Sequence, residues 1–424
     1  MDRWLYRWRS PSLRTLVVAS FFMGSGLAPL LGAGAYRKPR IRTITAFVRI
    51  QPSEPRSQIE PAVSMLRQAK AAFENGGYEV QTTRVTTQPF VQYVGGRSPT
   101  EALKLIKSLD EMSRQDAFLL NIGPLIPTDL RDATRLELLR QALATTKVNA
   151  SLVVADEGGV QWTAVRAAAQ VIKYLEDHSP NGANNFDFAA VAMVPPNTPF
   201  FPASNHDGAG HEFSVGWEAG AFVSDVVAGA NGDMQLAKEI LATEFERQAR
   251  AVDAIARQVE NQSTWKYMGL DPTPAPLTDS SIGAALETLT RAKFGSMGTL
   301  SAAAVITEAE HSISVKRVGF SGLMLPVLED PVLAERWSEG SFDLDSLLAY
   351  SAVCGTGLDT VALPGDVSQQ QLERIIGDMA SLAFKWHKPL TARLIPAPGK
   401  KAGERTDFNF RGGAFPNTTL QTLR

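Results

Sequence analysis

The chain has 424 residues, longer than the roughly 100–200 of a typical single-core domain, so one large α/β barrel or two domains are both open. Its 44% hydrophobic and 20% charged residues exclude a disordered chain. Forty-two basic residues against 44 acidic ones give −2, without the basic excess of a nucleic-acid surface, and the single cysteine, Cys354, excludes an intrachain disulfide framework and a cysteine-rich metal site.

The amino terminus stands apart. Arg3, Arg7, Arg9 and Arg14 precede an uncharged stretch, 15–36, that is most apolar at 16–23 and ends in Ala33-Gly34-Ala35. Basic, apolar and small in that order predicts an export signal cut after Ala35, or a membrane anchor if the segment stays uncut. Gly24, Gly26, Pro29 and Gly32 weaken a continuous helix. An organelle presequence, or an extension from an upstream start codon with a cytoplasmic protein behind it, are the alternatives.

From residue 40 onward strand and helix patterns alternate. Residues 42–50 read as a strand, 57–75 as a helix stopped by Gly76-Gly77, and 78–85 as extended chain, which makes a βαβ unit. Helices at about 99–113, 128–145 and 160–176 precede apolar segments at 117–122, 151–155 and 186–194. A long amphipathic helix follows at 233–260, then helices near 281–292, 299–310, 330–338, 343–351 and 368–386. A strand at 390–395 closes the order, with an irregular tail after it. The pattern predicts one helix-covered, parallel-rich α/β barrel over 40–424.

Sites in such folds gather in loops at the carboxyl ends of strands, and three loops are rich in polar residues and glycine. The loop at 195–218 holds His206, His211, Asp207, Glu212 and Glu218 but no recognised metal spacing, so no metal site is assigned. Local hydrogen bonding would account for its histidines; binding of a polar ligand is the favoured reading. The turn FGSMGTL (294–300) places Gly295, Ser296, Gly298 and Thr299 before a helix, where free backbone N–H groups suit an anion, although ordinary capping explains the same residues. The loop 351–368 carries Cys354 between flexible positions, with Gly355, Asp359 and Asp366. A packed thiol competes there with a nucleophile. Ser368 and Gln371 form a capping box, which explains Ser368. Lys388 and Arg393 flank the last strand and suit a carboxylate or phosphate, with surface ion pairs as the bland alternative.

The phrases PPNTPFFPASNHDG, SSIGAALETL, FGSMGTL, GFSGLMLPVLED, YSAVCGTGLDTVALPGDVS and KPLTARLIPAPGKKAGERTDF, in this order, resemble the uncharacterised family catalogued as domain of unknown function seven hundred and eleven. The likeness runs from about residue 40 to the carboxyl terminus and leaves out residues 1–36. Its fold is similar to the ten-stranded barrel of glycyl-radical enzymes such as pyruvate formate-lyase. That resemblance implies a barrel with Cys354 on a loop entering it, and Ser321, within GFSGLMLPVLED, joins Gly355 among the ligand-binding candidates. The segment 411–415 (RGGAF) resembles a radical-glycine segment only faintly, and the chain is much smaller than those enzymes, so radical chemistry is the least favoured reading.

These residues imply an enzyme acting on a small polar or anionic metabolite in the barrel mouth. Cys354 would be nucleophile or ligand contact, Asp359 or Asp366 would position a proton, and His206, with an unperturbed value near ~6.5, would be the acid–base group. A non-catalytic ligand-binding or scaffold protein of the same fold is the alternative, and a protein-docking role the third. No cofactor is identified; homo-oligomerisation and membrane association through residues 15–36 are left open.

Overall fold

The computed structural model describes residues 36–409 and 415–423. Ten strands form one mostly parallel sheet: β1 (Arg40–Val48), β2 (Thr83–Thr87), β3 (Leu119–Leu125), β4 (Asn149–Asp156), β5 (Gly159–Val160), β6 (Phe188–Ala192), β7 (Glu212–Glu218), β8 (Lys266–Ala275), β9 (Gly357–Pro364) and β10 (Leu390–Ala397). Their order is β8-β7-β1-β2-β3-β4-β6-β10-β9, with β5 paired to β4. The block β1-β2-β3-β4-β6 is parallel, as right-handed βαβ crossovers require. The pairs β7/β8 and β9/β10 are each parallel internally but meet that block antiparallel, at β1 and β6.

The helices follow the apolar spacing. Pro55–Asn75 buries Ile59, Val63, Leu66, Ala69 and Phe73 on one face, and Met234–Asn261 starts from an Asp233 cap whose carboxylate accepts from the N–H groups of Gln235 and Leu236. Two corrections concern regions expected to be loops. The end of the 195–218 loop is β7, where Phe213, Val215 and Trp217 alternate with Ser214, Gly216 and Glu218, and the middle of the 351–368 loop is β9, buried along its whole length. Glycines and an aspartate in those stretches resemble loop composition, but burial between neighbouring strands outweighs weak propensity.

Segment 316–329 touches both ends of the strand order. Leu270 N donates to Lys316 O (3.0 Å) and Val318 N to Leu270 O (3.0 Å) on β8, while Val327 N donates to Asp359 O (3.1 Å) on β9 and Gly355 N to Leu323 O (2.8 Å). The crossing at Gly322 and Gly355 tolerates no side chain, because a Cβ on Gly322 would lie 2.6 Å from Gly355 Cα.

Among the described residues no helix is long and apolar enough to cross a membrane. The expected membrane anchor, and the exported or anchored location that went with it, therefore find no support among the described residues. The basic and apolar stretch behind the expectation, residues 1–35, lies outside the described residues, as do residues 411–414 of the RGGAF segment.

Candidate ligand-binding cavity

Side chains with polar ends in a buried sheet need partners, and the inner face of β1–β3 finds them in one loop. Thr45 Oγ1 donates to Pro199 O (2.9 Å), Asn121 Nδ2 donates to Pro202 O (2.8 Å), and the hydroxyls of Thr86 and Ser204 meet at 2.6 Å. These bonds hold the 199–204 stretch against the sheet, where Phe200 and Ala203 pack with Val191, Ala275, Phe320 and Met324.

Next to that cluster lies a cavity of about 210 Å³. It sits where β1–β4 begin and β8 ends, lined by Arg42, Arg84, Leu119 and Asn149 from the first strands and Ala275 from β8. For β1–β4 this is the end opposite the carboxyl ends at which a site was expected, while for β8 it is the carboxyl end. Thr356, Asp359, Thr391 and Arg393 supply another wall, and Phe186, Phe200, Phe201, Phe320 and Phe415 the aromatic surface.

The charges on the wall form a connected chain. Arg393 Nε donates to Asp359 Oδ1 (2.7 Å) and Nη2 to Glu329 Oε1, while Arg42 Nη2 donates to the other oxygen of Glu329 (3.0 Å). Arg42 Nη1 reaches Gln81 Oε1 (3.3 Å), and Gln81 Nε2 reaches Glu218 Oε2 (3.1 Å). Arg393, Asp359 and Glu329 are all buried. Burial pushes the Asp359 carboxyl up from its ordinary range, Arg393 opposes that, and the neighbouring Glu329 charge adds to it. Burial likewise raises Glu218, against the pull of the Ser280 hydroxyl that donates to it.

Two guanidinium groups lie over rings, Arg393 4.6 Å from the centre of Phe186 and Arg84 4.8 Å from that of Phe201. Such stacking holds a planar cation in place. Thr356 is 2% exposed, lines the cavity, and its hydroxyl has no hydrogen-bond partner.

The expected convergence of Cys354, His206, Asp359 and Asp366 is corrected. Asp359 and Arg393 line the cavity. Cys354 is buried elsewhere: its Sγ donates to Tyr350 O (2.8 Å), and burial pushes the thiol up to about 12, so it is a neutral thiol near pH 7. His206 is buried at the far end of β1, its Nε2 donating to Val48 O (2.9 Å), and burial lowers its pKa. Asp366 is exposed at the other end of β9.

The binding candidates divide in the same way. Thr299 Oγ1 accepts from Gly295 N (3.1 Å) within the 294–300 turn, the helix that starts at Thr299 has no side-chain cap among the described residues, and Ser296 and Gly298 are exposed. Ser321 N donates to Asp271 Oδ1 (3.1 Å), and Lys388 Nζ donates to Ala352 O (3.3 Å). Gly355 serves the crossing with Gly322. Among the described residues no group of three or more His, Cys, Asp or Glu side chains is placed to hold a metal ion.

Arg42, Arg84, Glu329 and Phe201 escaped the sequence reading. The available signal was charge within a buried-strand pattern, as with Arg42 beside Ile41 and Ile44 in RIRTITAFV.

The fold and cavity define an α/β protein with a buried, charge-paired pocket at the beginning of its first strands. The chain belongs to the family described as Uncharacterised ACR (DUF711), whose model matches residues 35–409. It is 27% identical to a UPF0210 protein of Pyrobaculum islandicum over 383 residues, 86% of this chain and 84% of that one. A UPF0210 protein of Desulforudis audaxviator is 30% identical over 368 residues, covering 82% and 80%. One of Carboxydothermus hydrogenoformans is 28% identical over 365 residues, again covering 82% and 80%.

Proposed function

We propose that the chain binds a small anionic metabolite with an apolar body in this cavity. The observation that carries the reading is the wall of Arg42, Arg84 and Arg393 against Glu329 and Asp359, facing aromatic rings. Guanidinium groups recognise carboxylate and phosphate oxygens through paired N–H donors, and the rings accept the apolar part. A cavity of about 210 Å³ falls below the roughly 300–1,000 Å³ of pockets for drug-sized ligands. In the same reading the sheet closes into a barrel through segment 316–329, whose bonds to β8 and β9 support closure and enclose the ligand.

The test is native mass spectrometry on the full chain purified from its source, beside an Arg42→Met variant. The expected result is a small anion retained by the wild type and lost from the variant. Equal retention by both, or a neutral ligand, would sink the reading.

Catalysis is the second reading, favoured by Asp359. A buried carboxyl raised by its surroundings and bonded to a fixed guanidinium can exchange a proton with a bound ligand. Cys354 has no part in it. Transfer of deuterium from D2O into the retained anion, abolished in Asp359→Asn, is the expected sign; absence of exchange in the wild type leaves a binding protein.

A further inference from the structure

We infer that the ligand is a hydroxy-monocarboxylate with a compact aromatic or branched apolar body, its hydroxyl seated on Thr356. The inference rests on the anion-binding reading above and names the chemical class that fits it.

Thr356 supplies the first argument. Its hydroxyl can donate one hydrogen bond and accept two, yet it has no partner among the described residues, although the residue lines the cavity and is 2% exposed. The residue is held rigidly, because its carbonyl accepts from both Thr391 N (2.8 Å) and Thr391 Oγ1 (2.9 Å). A buried hydroxyl kept in place and unsatisfied by protein is a group placed for a ligand's polar atom.

The anion's charge follows from the wall. Arg393 engages Asp359 through Nε and Glu329 through Nη2, and has no further hydrogen-bond partner among the described residues, so the rest of its fork serves a ligand oxygen. The two carboxylates it holds are themselves part of the lining. A phosphate monoester carries roughly −1.5 to −2 at pH 7 and would face both. A single carboxylate meets the same guanidinium groups with less repulsion, and its planar pair of oxygens matches the fork.

The body follows from the remaining surface. Phe200, Phe320, Met324, Ala203 and Ala275 form one apolar cluster at the cavity, and no lysine lines it. A nucleotide is excluded by size and charge; a ring or branched chain of a few carbons fits.

The experiment is titration calorimetry of the full chain and a Thr356→Val variant with 3-phenyllactate, 3-phenylpropionate, which lacks only the hydroxyl, and inorganic phosphate. Phenyllactate is expected to bind the wild type about tenfold more tightly than phenylpropionate, the effect of one buried hydrogen bond, with phosphate weakest. Thr356→Val keeps the side-chain shape and is expected to erase the tenfold preference, with circular dichroism and thermal melting of the variant controlling for folding. Equal binding of the two acids to the wild type, a preference that survives in the variant, or tightest binding of phosphate overturns the inference and leaves anion binding standing. If none of the three binds the wild type, the anion-binding reading falls and the inference falls with it.

Discussion

Two buried polar regions of this molecule differ in how their charges are satisfied. At the cavity, Arg42, Glu329, Arg393 and Asp359 bond to one another in sequence. On helix Thr299–His311, Glu310 is fully buried, and among the described residues neither of its oxygens has a hydrogen-bond partner, nor has the Thr307 hydroxyl one turn earlier. Burial pushes Glu310 well above the ordinary carboxylate range, with Asp271 adding to the rise and Arg317 and Lys388 opposing it. The first region pairs its buried charges, whereas in the second burial favours the protonated form of the carboxyl. Only the first lines a cavity, so buried polarity by itself does not mark a site.

The contrast can be broken by mutation, beginning with the largest effect. Arg393→Met leaves Asp359 and Glu329 buried without their shared cation, and loss of one partner from a buried pair costs about 3–5 kcal/mol. Urea unfolding should show that loss at pH 8 and a smaller one at pH 5, because burial already raises the Asp359 carboxyl and the variant removes the Arg393 charge that opposes it. A loss independent of pH would mean that packing of Arg393 on Phe186, not charge, is what matters.

Asp271→Asn comes next. Asp271 Oδ1 accepts from Thr273 N, Thr273 Oγ1 and Ser321 N, and Oδ2 accepts from Phe320 N (2.8 Å). An amide turns one acceptor into a donor facing an N–H, a change of about 2–3 kcal/mol, and it loosens the 316–329 segment. Hydrogen exchange at Val318 and Phe320 would report that loosening directly.

Glu310→Gln sharpens the comparison through pH. With the folded value raised, the carboxyl's contribution is complete below the unfolded value of ~4.3 and declines as pH climbs past it, since the unfolded chain ionises first. The glutamine variant should therefore equal the wild type near pH 4 and exceed it in thermal stability at pH 8. A variant less stable at pH 8 would show that Glu310 is ionised and paired.

Cys354→Ala should have the smallest effect, about 1 kcal/mol from lost packing, with ligand retention unchanged. The native thiol should resist disulfide-exchange reagents until the chain unfolds. Rapid labelling of the folded protein would restore Cys354 as a reactive group.

Much of the fold was readable from periodicity. The expected helices at 57–75, 99–113 and 233–260 correspond to Pro55–Asn75, Pro99–Gln115 and Met234–Asn261. β7 and β9 were hidden because glycine, aspartate and threonine within them look like loop, and only neighbouring strands make them otherwise. β8 was passed over: Gly269, Pro272 and Pro274 punctuate it. Of the cavity, Asp359 and Arg393 stood out as charges beside or within apolar runs. Arg42 could not be connected to Glu329, because the two lie 287 positions apart and only the sheet brings them together. His206 and Cys354 drew weight by residue type, and type says nothing of which end of a strand a side chain occupies.

Segment 316–329 has a role that concerns chains in number rather than one at a time. β8 and β9 end the strand order, and an uncovered edge strand is a template for strand addition between molecules. The segment occupies bonding positions on both and also gives Phe320, Met324 and Glu329 to the cavity. A molecule that fills the cavity grips the cover of both edges. If the cavity holds the proposed ligand, its occupancy and resistance to aggregation are linked, and a preparation stripped of ligand should precipitate sooner than one that retains it.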